Sequence, residues 1–455
     1  MRQVDVNSLE GRKIGILGVG REGQSAREFL RTLYPGIGLD LISEQQPDRL
    51  FTSQLVNQDR LLISPLSELR LDEYDLLIRS PGISPYRKSI RRAKNAGVEI
   101  TSPSNLWFAG HPHAKTICVT GTKGKSTTSA LIAHALDSCG YRVRLAGNIG
   151  LSLLACDDRN VDWWVIELSS YQLADLEAAP TASVILNLSS EHLDWHGSEQ
   201  AYRQDKLRLA MLATGSILVA NAADEVLKTT LSGRRDVTWF NSPSGLRVEN
   251  SSILDGSSVL PVVLPEGLPG AHSLANTAAA LTVLRMIGAD IETAVQAISS
   301  FRSLPHRLQI VGEQSGVRYI NDSISSTPVA TVAALEALAG QSITLIVGGL
   351  DRGLDWSPYV QAFKKRPPEA VIAIPENGAR ILDTMRSANL QPGAGLHRAA
   401  DLAEAVKLAQ KMTRIDGTVL LSPGAPSFPQ FEDYRDRGRQ FAQLCGFDLQ
   451  EHEIW

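Results

Sequence analysis

A strand-length run, Thr116 to Thr120, leads directly into Gly121-Thr122-Lys123-Gly124-Lys125-Ser126-Thr127. Ala130, Leu131, Ala135 and Leu136 then recur at helical spacing until Gly140. A chain that passes from a fully apolar strand through one glycine turn into a helix is building a β-α-β unit. Parallel strands need a crossover, and a strand that is apolar on both faces needs cover on both. Similar short runs lie at Lys13 to Leu17, Leu76 to Arg79, Trp163 to Leu168, Val184 to Leu188, Thr344 to Val347, Val371 to Ile374 and Val419 to Leu421. Helix-like stretches separate them nearly throughout, so the fold class is α/β with parallel sheets.

At 455 residues the chain exceeds what one core usually holds, which predicts three domains. The polar segment Thr101-Ser102-Pro103-Ser104-Asn105 and the stretch Ser299 to Pro305 mark the breaks, giving domains over 1–103, 104–303 and 304–455. A Ser/Asn/Gly-rich piece, Asn241 to Ser258, reads as a surface hairpin or loop, and no internal repeat is evident. With 45 basic against 49 acidic residues there is no basic excess for nucleic acid or an acidic membrane surface. Cys118, Cys139, Cys156 and Cys445 form no CxxC pair, which argues against a disulfide framework or a zinc site. No apolar signal core or membrane-length run is present, so the expected location is the cytoplasm.

The turn from Gly121 to Thr127 has the chemistry of a phosphate loop. Glycines let backbone N–H groups face inward and the helix N-terminus adds positive charge. Lys125 can neutralise phosphate oxygens, and Ser126 or Thr127 can ligate Mg²⁺. The spacing is G-x-x-G-K-[ST], shorter than the general G-x-x-x-x-G-K-[ST] pattern, and position 119 is Val. ATP chemistry is favoured over a basic surface turn because strand, glycines, Lys-Ser-Thr and helix arrive in order. A second loop, Gly18-Val19-Gly20-Arg21-Glu22-Gly23, matches G-x-G-x-x-G, with Glu44 where a ribose-binding acid can fall, but a diphosphate of any nucleotide suits it. Glu167 and His192 follow two further apolar strands, so they belong at the crevice end of a parallel sheet, where they are candidate Mg²⁺ ligands. Taken singly, Glu167 as a helix cap and His192 as a satisfied loop histidine are the lesser alternatives, whereas Lys206 reads as a solvated helix residue.

In order and spacing several segments resemble the Mur ligases, most closely the MurD type, UDP-N-acetylmuramoyl-L-alanine glutamate ligase. They are Gly121 to Thr127, Gly147-Asn148-Ile149-Gly150, Glu167 to Leu173, Glu191-His192-Leu193-Asp194, Leu304-Pro305-His306-Arg307, Asn321-Asp322-Ser323 and Leu421-Ser422-Pro423. The resemblance runs over essentially the whole chain. It implies an N-terminal Rossmann-like domain that binds the UDP-sugar, a central P-loop ATPase domain and a C-terminal Rossmann-like domain for the amino acid. By position it implies that Val19, Arg21, Glu44 and Ser80 of Ser80-Pro81-Gly82 contact the UDP-substrate, with Asn148 reaching it from the central domain. ATP would be held by Gly121, Thr122, Lys123, Gly124, Lys125, Ser126 and Thr127 together with Asn276, Arg307 and Asp322. Two Mg²⁺ ions are implied beside Ser126, Glu167, His192 and Lys206, the last carbamylated, with Lys125, His192 and Lys206 as catalytic residues. The implied reaction passes the γ-phosphoryl of ATP to the alanyl carboxylate, and the amine of glutamate attacks the acyl phosphate. The chain would be a monomer.

The departures fall in the implied glutamate pocket of Ser326, Arg352, Ser427 and Tyr434. Where the MurD pattern reads Asn-Asp-Ser-Lys-Ala-Thr, this chain has Asn321-Asp322-Ser323-Ile324-Ser325-Ser326, which loses a lysine. Arg352 stands for a carboxylate-binding lysine and Tyr434 for a phenylalanine, and a planar guanidinium fork binds a carboxylate differently from a point charge. This rebuilt pocket resembles the variant that adds L-glutamate and leaves epimerisation of the product to a separate enzyme. The ordinary D-glutamate ligase is the alternative, and a folate polyglutamate ligase a remoter one that normally lacks the first domain. An NAD-dependent oxidoreductase built on the first glycine loop and a non-catalytic nucleotide-binding regulator are the rivals from other classes.

Overall fold

The computed structural model describes residues 4–449 apart from 48, 150, 157–159, 190, 192, 266, 267, 269 and 303. The first sheet consists of β1 (Ile14–Leu17), β2 (Leu39–Ser43), β3 (Asp59–Ile63), β4 (Leu76–Arg79) and β5 (Glu99–Thr101), all parallel in the order β3-β2-β1-β4-β5. The strand order reverses at β1, so the crevice between the carboxyl ends of β1 and β4 is a topological switch point. Gly18 and Ser80 sit there. Two apolar layers clothe the sheet, one built on Ile14, Ile16, Leu39 and Ile78, the other on Leu17, Ile42 and Leu77.

The second sheet consists of β6 (Thr116–Thr120), β7 (Val143–Gly147), β8 (Trp163–Glu167), β9 (Ala182–Ile185), β10 (Ile217–Asn221) and β11 (Val237–Phe240), parallel in the order β11-β10-β9-β6-β8-β7. β6 is central, with β8 and β9 on either side. The segment expected to be a hairpin or loop forms three short antiparallel strands, β12 (Arg247–Glu249), β13 (Ser252–Asp255) and β14 (Ser258–Val259).

The last sheet comprises β15 (Gln309–Gln314), β16 (Val317–Asn321), β17 (Ile343–Val347), β18 (Ala370–Ala373), β19 (Leu396–Arg398) and β20 (Thr418–Leu421), in the order β15-β16-β20-β17-β18-β19. Only the β15–β16 pairing is antiparallel. The first two large sheets belong to one compact unit and the last to another. No helix among the described residues is long and apolar enough to cross a membrane.

Each expected strand is present, but one is displaced. The run Val184 to Leu188 is strand only as far as Ile185, because Asn187 leaves the ladder to bond the glycine loop: its carbonyl accepts from Thr122 N–H at 2.9 Å. The segment Thr101 to Asn105, read as a domain boundary, is structured and buried. It closes β5 and starts the helix Pro103–Gly110, whose N-cap Ser102 accepts from the Asn105 N–H, and Ser102, Ser104 and Asn105 are all buried. Asn105 also holds the Asp175 carbonyl and the Glu177 N–H, so its polar groups pin elements rather than face water.

Gly23 shows how tightly the first switch point is built. A Cβ there meets the Gly18 carbonyl oxygen at 1.9 Å and Ser80 Oγ at 3.0 Å, whereas one on Gly20 meets nothing within 4 Å. Gly23→Ala should therefore destabilise by about 1–3 kcal/mol, read as a fall in Tm by calorimetry, while Gly20→Ala leaves Tm close to wild type. Equal effects would mean that the loop is not under this steric limit.

Candidate active site

The helix Lys125–Ser138 begins at Gly124, whose φ of +85° and position suit glycine alone: a Cβ would lie 2.4 Å from Asn276 Oδ1. The first helical N–H groups have no side-chain cap and stay available to an anion. Asn187 sets the loop's shape, accepting from Lys123 N–H at 2.8 Å and donating to the Lys123 carbonyl at 3.0 Å. Thr122 Oγ1 donates to the Ser189 carbonyl and shares a hydrogen with the Tyr202 hydroxyl at 2.8 Å. Lys125 donates to the Thr122 carbonyl at 2.9 Å, and Lys123 pairs with Glu191 at 2.7 Å. The loop is thus held in its cradle by protein contacts alone.

Lys206 projects from the helix Glu199–Leu212 to the underside of this loop, where its Nζ donates to the Gly121 carbonyl at 2.8 Å. Only 2% of the residue is exposed. Burial first, then the charge of Lys125, holds its amine well below the usual lysine range, against the pull of Glu191 and Glu167. A helical lysine with this environment is no solvated face residue.

Glu167 ends β8 and is 1% exposed. One carboxylate oxygen accepts from Asn148 Nδ2 at 2.7 Å, and the other is buried without a protein partner. A buried carboxylate oxygen lacking a donor is costly unless something else satisfies it, and a divalent cation does so. Ser126, also buried, lies in the first turn of the helix Lys125–Ser138. His192 lies outside the described residues. Among the described residues, which exclude His192, no three His, Cys, Asp or Glu side chains form a metal cluster.

The first switch point gathers Val19, Arg21 and Ser80. Ser80 Oγ donates to the Gly18 carbonyl at 2.8 Å, which ties the Ser80-Pro81-Gly82 turn to the glycine loop. Arg21 reaches the Gly147 carbonyl at 3.3 Å, beside Asn148. Glu44 lies past β2 and accepts from Arg87 at 2.7 Å and from the Leu66 N–H.

In the second compact unit, Ser326, Arg352 and Ser427 lie on the loops that follow β16, β17 and β20, at one end of three neighbouring parallel strands. Tyr434 opens the helix Tyr434–Leu444 and meets the His306 ring edge-on at 5.7 Å. Arg352 is exposed and Ser427 buried. Asp322 is buried, accepting from Leu308 N–H and from the hydroxyls of Ser325 and Ser422. Burial raises its pKa to about 6, with Arg307 among the groups opposing this.

Sequence reading missed several groups here. Asn187 sits within the apolar run Val184 to Leu188 with nothing to single it out, and Tyr86, His196, Asp205 and the fully buried Arg437 carry no local signal.

Three families match the chain: one described as Mur ligase MurD-like, N-terminal domain, over residues 12–102, one as Mur ligase middle domain over 119–284, and one as Mur ligase, glutamate ligase domain over 306–424. A relative from Xanthomonas oryzae pv. oryzae named UDP-N-acetylmuramoyl-L-alanine--L-glutamate ligase is 40% identical over 454 residues, 97% of each chain. The chain belongs to the Mur ligase family. Relatives of the same name in Xylella fastidiosa and Salinispora tropica are 40% and 36% identical, over 97% and 96% of this chain and 97% and 98% of their own. Among solved structures, the UDP-N-acetylmuramate-alanine ligase MurC of Thermotoga maritima shares the fold with a TM-score of 0.61 at 20% identity, covering 96% of this chain and 99% of its own. A MurF ligase of the same organism, in complex with ADP, does so with 0.58 at 17%, covering 96% of each. This Mur ligase is accordingly an ATP-dependent, amide-bond-forming enzyme of three-domain α/β architecture, and Mur ligases use ATP and Mg²⁺.

Asp322 gives a pH test. The folded enzyme keeps a proton there up to about 6, whereas an unperturbed carboxyl releases it near 3.8, so this group's contribution to stability falls as pH rises through that window. The shift of roughly two units corresponds to about 3 kcal/mol. Wild-type Tm measured relative to Asp322→Asn should therefore fall from pH 3.8 to about 6 and level off above. Parallel Tm curves would show that Asp322 titrates as an ordinary carboxyl.

Proposed function

We propose that this Mur ligase joins L-glutamate to UDP-N-acetylmuramoyl-L-alanine in peptidoglycan precursor synthesis. The observation that carries the reading is the 40% identity over 97% of the chain to relatives named for that L-glutamate reaction. Arg352 and Ile324, which depart from the D-glutamate pattern, support it. The D-glutamate ligase remains the competing assignment that the assay below decides. An L-glutamyl product calls for a separate epimerase downstream.

The first switch point takes the UDP-substrate through Val19, Arg21, Glu44 and Ser80, with Asn148 reaching its acyl end. The loop from Gly121 to Thr127 takes the ATP phosphates, and Asn276, Arg307 and Asp322 are each proposed as nucleotide-binding residues. In the first step an alanyl carboxylate oxygen bonds the γ-phosphorus and the bond to the β-phosphate oxygen breaks, releasing ADP. In the second the glutamate amine attacks the acyl carbon, inorganic phosphate leaves with the C–O bond, and the amine loses a proton. Both steps gather negative charge, which Lys125 and the open helical N–H groups stabilise in place. Ser126, Glu167, His192 and Lys206 are the residues that would hold two Mg²⁺ ions, which when bound neutralise phosphate charge. Burial disfavours the charged form of Lys206, and its uncharged amine bonds the carbon of carbon dioxide and releases a proton to solvent, giving a carbamate with the anionic oxygens that an amine lacks. Ser326, Arg352, Ser427 and Tyr434 line the glutamate pocket.

Phosphate release with ATP, Mg²⁺ and UDP-N-acetylmuramoyl-L-alanine should proceed with L-glutamate and stay at background with D-glutamate. Turnover with D-glutamate alone would make this a D-glutamate ligase with altered pocket residues. Lys125→Ala should lower kcat by on the order of 10³-fold, since it removes one preorganised cation from the transferring phosphoryl group. Near-normal rates in that variant would remove Lys125 from the site.

A further inference from the structure

Four side chains outside the proposed ligand contacts form one buried hydrogen-bonded chain. The Tyr86 hydroxyl donates to Asp205 Oδ1 at 2.6 Å, Asp205 Oδ2 meets His196 Nδ1 at 2.6 Å, and His196 Nε2 meets Ser170 Oγ at 3.0 Å. His196, Asp205 and Ser170 are 2%, 5% and 3% exposed. With the aspartate as acceptor, the imidazole proton belongs on Nδ1 and Nε2 accepts from the serine, so one tautomer satisfies the whole chain. Rings of Tyr171, Trp195 and Tyr202 enclose the imidazole at 5.6, 4.5 and 5.2 Å.

The places these residues occupy give the chain its meaning. Ser170 opens the short helix three residues after Glu167, His196 ends the helix four residues after His192, and Asp205 immediately precedes Lys206. The three segments that bear Glu167, His192 and Lys206 are therefore tied to the same imidazole–carboxylate pair, while Ser126 lies on a separate helix. Tyr86 comes from the turn after β4 that also carries Ser80. A second staple runs beside it: Ser84 Oγ donates to the Trp195 carbonyl at 2.8 Å, and Trp195 Nε1 donates to the Gly82 carbonyl at 3.2 Å.

Resting on the nucleotide-sugar and metal assignments proposed above, we infer that Tyr86, Asp205, His196 and Ser170 are positioning residues. Together they fix the cation-binding segments against one another and couple them to the loop that holds the UDP-substrate. Filling that loop then favours the arrangement that binds the cation, and by reciprocity the cation tightens the UDP-substrate. Outer partners of this kind orient ligands without touching the ion.

The test uses the full chain and Tyr86→Phe, which deletes one hydroxyl and keeps the ring. Tyr74→Phe is the control, because Tyr74 makes an equivalent 2.6 Å bond to Asp40 of β2 and precedes β4, at the opposite end of that strand from the turn that carries Ser80 and Tyr86. Mn²⁺ affinity is read by electron paramagnetic resonance, with and without UDP-N-acetylmuramoyl-L-alanine, and calorimetry follows the UDP-substrate without metal. Tyr86→Phe should weaken Mn²⁺ binding on the order of 10-fold and bring the ratio of Mn²⁺ affinities with and without the UDP-substrate towards one. Tyr74→Phe should lower Tm and leave both readings as in wild type. Wild-type Mn²⁺ affinity and coupling in Tyr86→Phe would overturn the inference, whatever its Tm. A wild-type enzyme that does not bind the UDP-substrate would sink the proposed substrate instead, and the Mn²⁺ affinities without substrate would still decide the positioning role.

Discussion

Burying a lysine amine beneath a phosphate-binding loop is expensive, and much of the first compact unit can be understood as what makes it tolerable. Lys206 gives up water for one strong acceptor, the Gly121 carbonyl, and lies 5.4 Å from the centre of the Tyr202 ring. Lys125 on the same loop opposes its charge, while Glu167 and Glu191 favour it. Burial and Lys125 both favour the uncharged amine, which is the form that the carbamylation proposed above requires. The position that looks worst for a charged lysine is therefore well suited to one that becomes a carbamate.

The loop above it is equally constrained. Gly124 leaves no room for a Cβ beside Asn276, and Asn187 answers both backbone groups of Lys123. The loop's shape is thus fixed before any phosphate arrives, so the ordering entropy of the loop is largely met in folding rather than in binding. Asn187 can do this only by leaving the β9 ladder, which is why the apolar run continues through Leu188 while the strand stops at Ile185.

This contrast marks what the sequence could disclose. The glycine loops, their strands and the Lys-Ser-Thr opening of a helix are local, because backbone geometry and residue type must agree within a few positions, and they were legible at once. The burial of Lys206 was not, since within its own helix it reads as one polar residue among several, and only the Gly121 carbonyl 85 positions away makes it buried. Tyr86 and Asp205 are separated by 119 positions and bond through single side-chain atoms, which leaves no periodicity to read. The polar run Thr101 to Asn105 shows a related limit: its composition does not reveal that Ser102 caps a helix and that Asn105 holds the Asp175 carbonyl.

The second compact unit shows how the proposed glutamate pocket can change while its frame persists. Arg437, fully buried, donates to Ser323 Oγ, to the Ser323 carbonyl at 2.8 Å and to the Ala425 carbonyl at 3.0 Å, drawing the loops after β16 and β20 together. Leu350 N–H adds the loop after β17 by donating to the Pro426 carbonyl at 2.9 Å. Burial lowers the Arg437 pKa to about 9, yet it stays charged at neutral pH, with Asp322 supporting that charge. Most of these bonds end on backbone carbonyls, which any residue supplies. Side chains at Ile324, Ser326, Arg352 and Tyr434 can therefore be exchanged without disturbing the loops that present them. On the proposed reading, acceptor choice varies in these side chains, while the phosphate loop, whose contacts depend on the particular side chains of Asn187, Thr122 and Lys206, has no such freedom.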